Sequence, residues 1–216
     1  YHSVFFARKD SGINSLADLK GRSIAFQSTG STSAYIVPAS VLLDEGLQLE
    51  ILLSPMDRPT PDLVGYVFAR SELNIAAWVH KRLVDAGVFS SLDWADTRRL
   101  PPAFRQDLKI IHETPDYPRA LEMVRGDLDP KVEARLREVL LEAADDPAAR
   151  EAMNLFFRTT RFLPVDAGSQ QGLDRLRDGD GASCVHRAEE QDRRHRSAAM
   201  RAVWPRDATA LRARLA

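Results

Sequence analysis

Three consecutive stretches decide the architecture: Arg22-Ser-Ile-Ala-Phe26, then Gln27-Ser-Thr-Gly-Ser-Thr-Ser33, then a mostly apolar run from Ala34 that ends at Asp44-Glu45-Gly46. The first is a short apolar run bounded by turn residues, the pattern of a buried strand. The second is a Ser/Thr/Gly cluster, the pattern of a loop. The third holds about three turns of helix, with a Gly stop behind it. A further apolar run, Leu49 to Leu53, comes next. Strand, loop, helix and strand in that order make a βαβ unit, which predicts an α/β fold with a mostly parallel sheet.

Residues 31–33 fall at the N-cap and first turn of the predicted helix. Backbone N–H groups there have no intrahelical partners, and the helix dipole adds roughly half a positive charge. With their hydroxyls, Ser31, Thr32 and Ser33 offer the donors that a tetrahedral oxyanion needs. No Lys or Arg lies between Arg22 and Arg58 to supply charge instead. The plain alternative is that one Ser only caps the helix. The segment is not a Walker loop, because the Gly-Lys-Ser/Thr ending is missing.

The alternation continues on both sides. Ser3 to Ala7 reads as a buried strand, followed by a Lys9–Gly12 turn and one helical turn from Asn14 to Gly21. Pro55 to Pro61 is a loop, Val64 to Phe68 a strand, Ser71 to Arg82 a helix and Val84 to Phe89 a strand with Asp85 near its start. Ser71, Glu72 and Asn74 open the helix; an acid there is also simply favourable to the helix dipole. Ser90 to Gln106 reads as irregular, with Pro101-Pro102 as a breaker. Leu108 to His112 and Ala120 to Val124 read as extended. Asp129-Pro130 and Asp146-Pro147 each pair an Asp N-cap with Pro at the first helical position, so two helices start there. Val132, Leu136, Val139 and Leu140 form one apolar stripe on the first of them. From Gly179 onward the composition turns to Ala, Arg, Asp and Glu, the pattern of a tail or linker, with possible helices at 186–200 and 208–215.

Composition narrows the function classes. The chain has 216 residues, 44% of them hydrophobic, enough for one large domain or two small lobes. A formal net charge of −1 gives no field for nucleic acid. One cysteine, Cys184, excludes a disulfide framework and a cysteine-based zinc site. His80, His112, His186 and His195 lack metal-ligand spacing, so neither a metal nor a cofactor is expected. The uncharged stretch from Ser23 to Leu43 is too rich in Ser, Thr and Gln to span lipid. The first residue is Tyr1, without a Met or a signal peptide, which reads as a processed or truncated product.

Several segments together resemble the phosphate/phosphite/phosphonate-binding proteins of ABC transporters. They are Tyr1-x-Ser-Val-Phe-Phe-Ala-Arg-Lys-Asp-Ser-Gly-Ile13, Leu16-Ala-Asp-Leu-Lys-Gly-Arg22, Ile24-Ala-Phe26, Ser31-Thr-Ser-Ala-Tyr35 with Pro38, and Trp78-Val79. The likeness runs on through Val84-Asp-Ala-Gly87, Tyr117-Pro-Arg119, Leu128-Asp-Pro130 and Thr159-Thr-Arg-Phe162, covering roughly residues 1 to 176. The family usually has Gly after Ser-Thr-Ser, where this chain has Ala34.

The resemblance implies a type II periplasmic binding fold, with two α/β lobes, a cleft and two crossing strands near Val4–Ala7 and Ile111–Arg119. Residues 1–115 would be the second lobe, 116–178 the return crossing and a helical part of the first lobe, and 179–216 an atypical tail. Members carry a further half-lobe ahead of the segment matching Tyr1, so the first half-lobe is implied to be missing. It also implies that Ser31, Thr32 and Ser33 hold phosphoryl oxygens. Asp85 would meet a ligand proton or amine, with Ser71, Glu72 and Asn74 facing the same cleft. The expected protein is a monomeric periplasmic binder of phosphonate, phosphite or phosphate that hands its ligand to ABC permease subunits. The alternatives are a sensory input domain on the same fold and an enzyme, for which no nucleophile–base pair can be assembled.

Overall fold

The computed structural model describes residues 1–156 and 159–178. The chain divides into two compact units, one holding Tyr1–Tyr117 together with residues 174–178, and one holding Pro118–Leu173. The proposed helices at 186–200 and 208–215, Cys184, His186 and His195 lie outside the described residues.

The first unit is built on a six-stranded sheet. Its strands are β1 (Ser3–Arg8), β2 (Ser23–Phe26), β3 (Leu49–Ile51), β4 (Val64–Phe68), β5 (Ala86–Ser90) and β6 (Leu108–Glu113). Their spatial order is β3-β4-β2-β5-β1-β6. β3, β4, β2 and β5 run parallel, as the βαβ reading predicts. β1 departs from it and lies antiparallel between β5 and β6. A strand's own residues do not encode its direction against a partner far along the chain.

The period-2 alternation of the strands sorts their side chains onto two buried faces. Phe5, Ile24, Phe26, Tyr66 and Val88 join one core with Tyr35, Ala39 and Leu42. Phe6, Ala25, Val67 and Phe89 join the other with Ile75, Ala76 and Val79. Burial on both faces explains why these strands read as continuous apolar runs. Trp94 packs against Phe6 and Phe89 on the second face, as a core residue rather than a ligand platform.

The helix after β2 differs from the expected three regular turns. A wide turn, Thr32–Ile36, comes first, and the regular helix α1 spans Val37–Asp44. The Ile36 N–H reaches back five residues to the Ser31 carbonyl at 2.9 Å. Pro38 is the physical cause. A regular helix would have residue 38 donate to the Ala34 carbonyl, and Pro has no N–H.

The next helix, α2 (Glu72–His80), is capped by Ser71 as its sequence predicts. The stretch 90–106 is not irregular throughout. It holds two short helices, α3 (Ser91–Ala95) and α4 (Pro102–Arg105). Pro102 opens α4 rather than breaking it, which its position in the first turn allows. Gly21 stops the turn at Ala17–Leu19 with φ +72°, and a Cβ there would sit 2.8 Å from the Pro61 carbonyl oxygen.

In the second unit, α5 (Pro130–Glu142) and α6 (Pro147–Leu155) begin at the two predicted Asp-Pro caps. The Asp129 carboxylate accepts the Lys131 N–H at 2.7 Å, and the Asp146 carboxylate accepts the Ala148 N–H at 2.8 Å. Val132, Leu136 and Val139 share one face but stay 47%, 44% and 47% exposed. Residues 120–124, expected to be extended, pair with no strand among the described residues. A further helix, α7, spans Ala167–Asp178.

Candidate functional site

The parallel strands β2, β4 and β5 all end at one edge of the sheet, so the segments that follow them are brought together. After β2 comes Gln27 and the 28–33 loop; after β4, Ala69 to Ser71; after β5, Ser90. Chain order does not predict this neighbourhood, because 43 positions separate Gln27 from Arg70.

The first two segments are clasped through their backbones. Arg70 N–H donates to the Gln27 carbonyl at 2.9 Å, and Ala69 N–H to the Phe26 carbonyl at 2.8 Å. Gln27 Nε2 returns a longer bond to the Arg70 carbonyl at 3.4 Å. Arg70 adopts φ +70°, a left-handed conformation unusual for a residue with a side chain. That turn sets Ser71 at the head of α2.

Two helix starts therefore face this edge. In the first, the Ser31 hydroxyl accepts the Ala34 N–H at 3.2 Å, so it is engaged as a cap. Thr32 and Ser33 stand in the first turn, where N–H groups lack intrahelical acceptors; Thr32 is exposed and Ser33 half-buried. In the second, the Ser71 hydroxyl accepts the Asn74 N–H at 3.2 Å, and the Asn74 amide nitrogen donates to the Ala69 carbonyl at 2.8 Å. Glu72 pairs with Arg99 at 3.1 Å.

The structure does not bring Asp85 to this edge. It precedes β5, and its carboxylate accepts both the backbone N–H and the hydroxyl of Ser23, at 2.9 and 3.1 Å. Ser23 starts β2 and Gln27 follows its end, so at about 3.3 Å per residue Asp85 sits some 13 Å away along the strand. Its contacts are those of a turn residue tying two strand starts together. Asp85 therefore does not stand beside the two helix starts.

Several residues at this edge escape sequence reasoning. Gln27 and Arg70 form the clasp and carry no motif. Ser90 and Asp93 do carry one: Ser-x-x-Asp is a capping-box spacing. The Ser90 hydroxyl accepts the Asp93 N–H at 3.1 Å and donates to its carboxylate at 2.5 Å. His2 precedes β1 and lies between Asp116 (2.8 Å) and Glu113 (3.1 Å). The bond from His2 is the main reason that the Asp116 carboxyl is held below its ordinary range. Among the described residues no cluster of His, Cys, Asp or Glu is arranged to hold a metal ion. No described helix is long and apolar enough to cross a membrane.

A model of the phosphonate-binding periplasmic substrate-binding proteins of ABC transporters matches residues 1–169. A Xanthomonas citri protein, XAC2383, is 46% identical and superposes with a TM-score of 0.78, in structures bound to chloride and to ATP. The match covers 88% of this chain and 66% of the chloride-bound one, so this chain spans about two thirds of that relative's length. PhnD1 from Prochlorococcus marinus, in complex with methylphosphonate, is 21% identical with a TM-score of 0.56, covering 83% of this chain and 65% of that one. A binding protein of an ABC phosphonate transporter from Pseudomonas aeruginosa is 19% identical with a TM-score of 0.52, covering 93% and 70%. These distant likenesses carry the fold, which is that of the type II periplasmic binding proteins.

Proposed function

The chain belongs to the family of periplasmic substrate-binding proteins of phosphonate ABC transporters, and from that premise we propose that it captures a small phosphorus oxyanion for an ABC permease. Phosphonate, phosphite and phosphate share the tetrahedral oxygens that the site would hold. Capture takes place in the periplasm and makes or breaks no bond. The N–H groups and hydroxyls of Thr32 and Ser33, with the Ser71–Asn74 helix start beside them, hold those oxygens. Ser31 acts mainly as the cap that shapes the turn.

One observation carries this reading. The Gln27–Arg70 clasp brings two donor-rich helix starts to the same edge of the sheet. Neutral N–H and O–H donors suit an anion that must be released again, since they bind it without a fixed charge partner. The ATP-bound relative adds a phosphate ester to the ligands worth trying.

The test is calorimetric titration of methylphosphonate, 2-aminoethylphosphonate, phosphite, phosphate, ATP and sulfate into the full-length protein and a Thr32→Ala/Ser33→Ala variant. Saturable binding of a phosphorus oxyanion, weakened at least tenfold in the variant (about 1.4 kcal/mol), is the expected result. Binding of none of them, or equal binding by the variant, would overturn the proposal.

A further inference from the structure

Among the described residues, every carboxylate on the loops at the ligand edge of the first unit already has a partner. Asp57 accepts the N–H groups of Leu53 and Ser54 at 3.1 and 2.9 Å. Asp93 accepts the Ser90 hydroxyl. Glu113 and Asp116 hold the two ring nitrogens of His2. Asp96 is paired with Arg98 at 2.9 Å, and Glu72 with Arg99 at 3.1 Å.

Glu72 stands apart from the others by position. It directly follows Ser71, at the helix start that faces the proposed oxyanion. Its side chain is 17% exposed, whereas that of Arg99 is 48% exposed. The acid is thus fixed in place and its cation is the outer, removable partner. The N-terminus of α2 also favours the ionised carboxylate without help from Arg99.

We infer that the Glu72–Arg99 ion pair determines which substituent the bound phosphorus oxyanion carries: oxyanions with no substituent or a small apolar one are taken, and those with an ammonium group are disfavoured. An ammonium brought to a partly buried edge needs a carboxylate in exchange for its water. At the start of α2 that carboxylate is Glu72, which Arg99 already neutralises, and the guanidinium adds like-charge repulsion. Arg99 acts through Glu72, as a positioning residue. This inference rests on the oxyanion reading above and names the ligand class within it.

The experiment compares dissociation constants for 2-aminoethylphosphonate and methylphosphonate on the full-length protein, Arg99→Gln, Arg99→Lys and the Glu72→Gln/Arg99→Gln double variant. The native protein should prefer methylphosphonate. Arg99→Gln should shift the ratio about fivefold toward 2-aminoethylphosphonate, the scale of one partly exposed ion pair. Arg99→Lys should restore the native ratio, and so should the double variant, which a general loosening of the loop would not do. An unchanged ratio in Arg99→Gln overturns the inference. So does an equal weakening of both ligands, which would mean that Arg99 touches the oxyanion itself. A native protein that binds no phosphorus oxyanion at all overturns the proposed function, a separate result read before any variant is made.

Discussion

The carbonyl of Ala34 accepts the backbone N–H of Gln27 at 3.1 Å, and Pro38, four residues further on, leaves it free to do so. In a regular helix residue 38 would claim that carbonyl. The missing N–H widens the turn and straps it to the end of β2, next to the clasp with Arg70.

Pro38→Ala should therefore damage the site more than the fold. The new N–H competes for the Ala34 carbonyl, and the 31–36 turn relaxes toward a regular helix. One hydrogen bond replaces another at the Ala34 carbonyl, and the unfolded-state entropy regained costs about 0.4–1 kcal/mol, so Tm should fall only slightly while methylphosphonate affinity falls severalfold. Calorimetry and a thermal melt on the same sample check both halves.

Gly87 lies where β5 passes under α2. A Cβ there would meet Ile75 Cγ2 at 2.5 Å, Phe6 Cζ at 2.9 Å and Val79 Cγ2 at 3.0 Å. All three neighbours are fully buried, so none can swing into solvent. Gly87→Ala should cost about 1–3 kcal/mol of overpacking, measured as a lower denaturant midpoint at an unchanged slope.

These cases show what a linear reading can reach. Locally encoded features were legible: Val64–Phe68 is a strand at the bounds its composition predicts. Ser71, Asp129 and Asp146 cap the helices that follow them. A cap needs only its own N–H groups two or three residues on. Features set by distant partners were not legible. Nothing in Ser3–Arg8 says that it will lie antiparallel between β5 and β6. The sequence marks the Ser31–Ser33 and Ser71–Asn74 segments each as a candidate, yet their neighbourhood depends on the parallel register of β2 and β4. Composition also hid α3 and α4, because two prolines in a row look like a breaker until Pro102 is seen to open a helix.

Tyr117 closes the first unit at the point where the chain leaves it. Its hydroxyl and that of Ser3, both buried, lie 2.7 Å apart, and its N–H donates to the Tyr1 carbonyl at 2.9 Å. Burial pushes the phenol up from its ordinary value. Tyr117→Phe should cost about 1–3 kcal/mol, because Ser3 loses its buried partner. Ser3→Ala/Tyr117→Phe should cost less than the sum of the single changes. The pH dependence has a definite sign. A group raised in the folded state binds its proton longer there than in the unfolded chain. Its contribution is complete below the unfolded value of about 10 and is lost as pH rises above it. Denaturation curves from pH 8 to 11 should show that alkaline loss in the native protein and less of it in Tyr117→Phe.

Asp85 gives the sharpest separation of fold from site. An acid near the start of a late strand invites a ligand role, and Asp85-Ala-Gly87 sits in a segment shared with the family. Its carboxylate nonetheless holds Ser23 at the start of β2, with Arg22 at 3.5 Å, at the edge opposite the proposed ligand. Asp85→Asn keeps the shape, and its one amide oxygen can still accept both Ser23 donors, which share Oδ2, but an NH2 then replaces the Oδ1 that faces Arg22. Stability should fall by about 1 kcal/mol, the net value of one such bond. Methylphosphonate affinity, measured well below the melting transition, should stay within a factor of two, and so should its ratio to 2-aminoethylphosphonate. A change in that ratio with stability intact would return Asp85 to the ligand and place the site at the wrong end of the sheet.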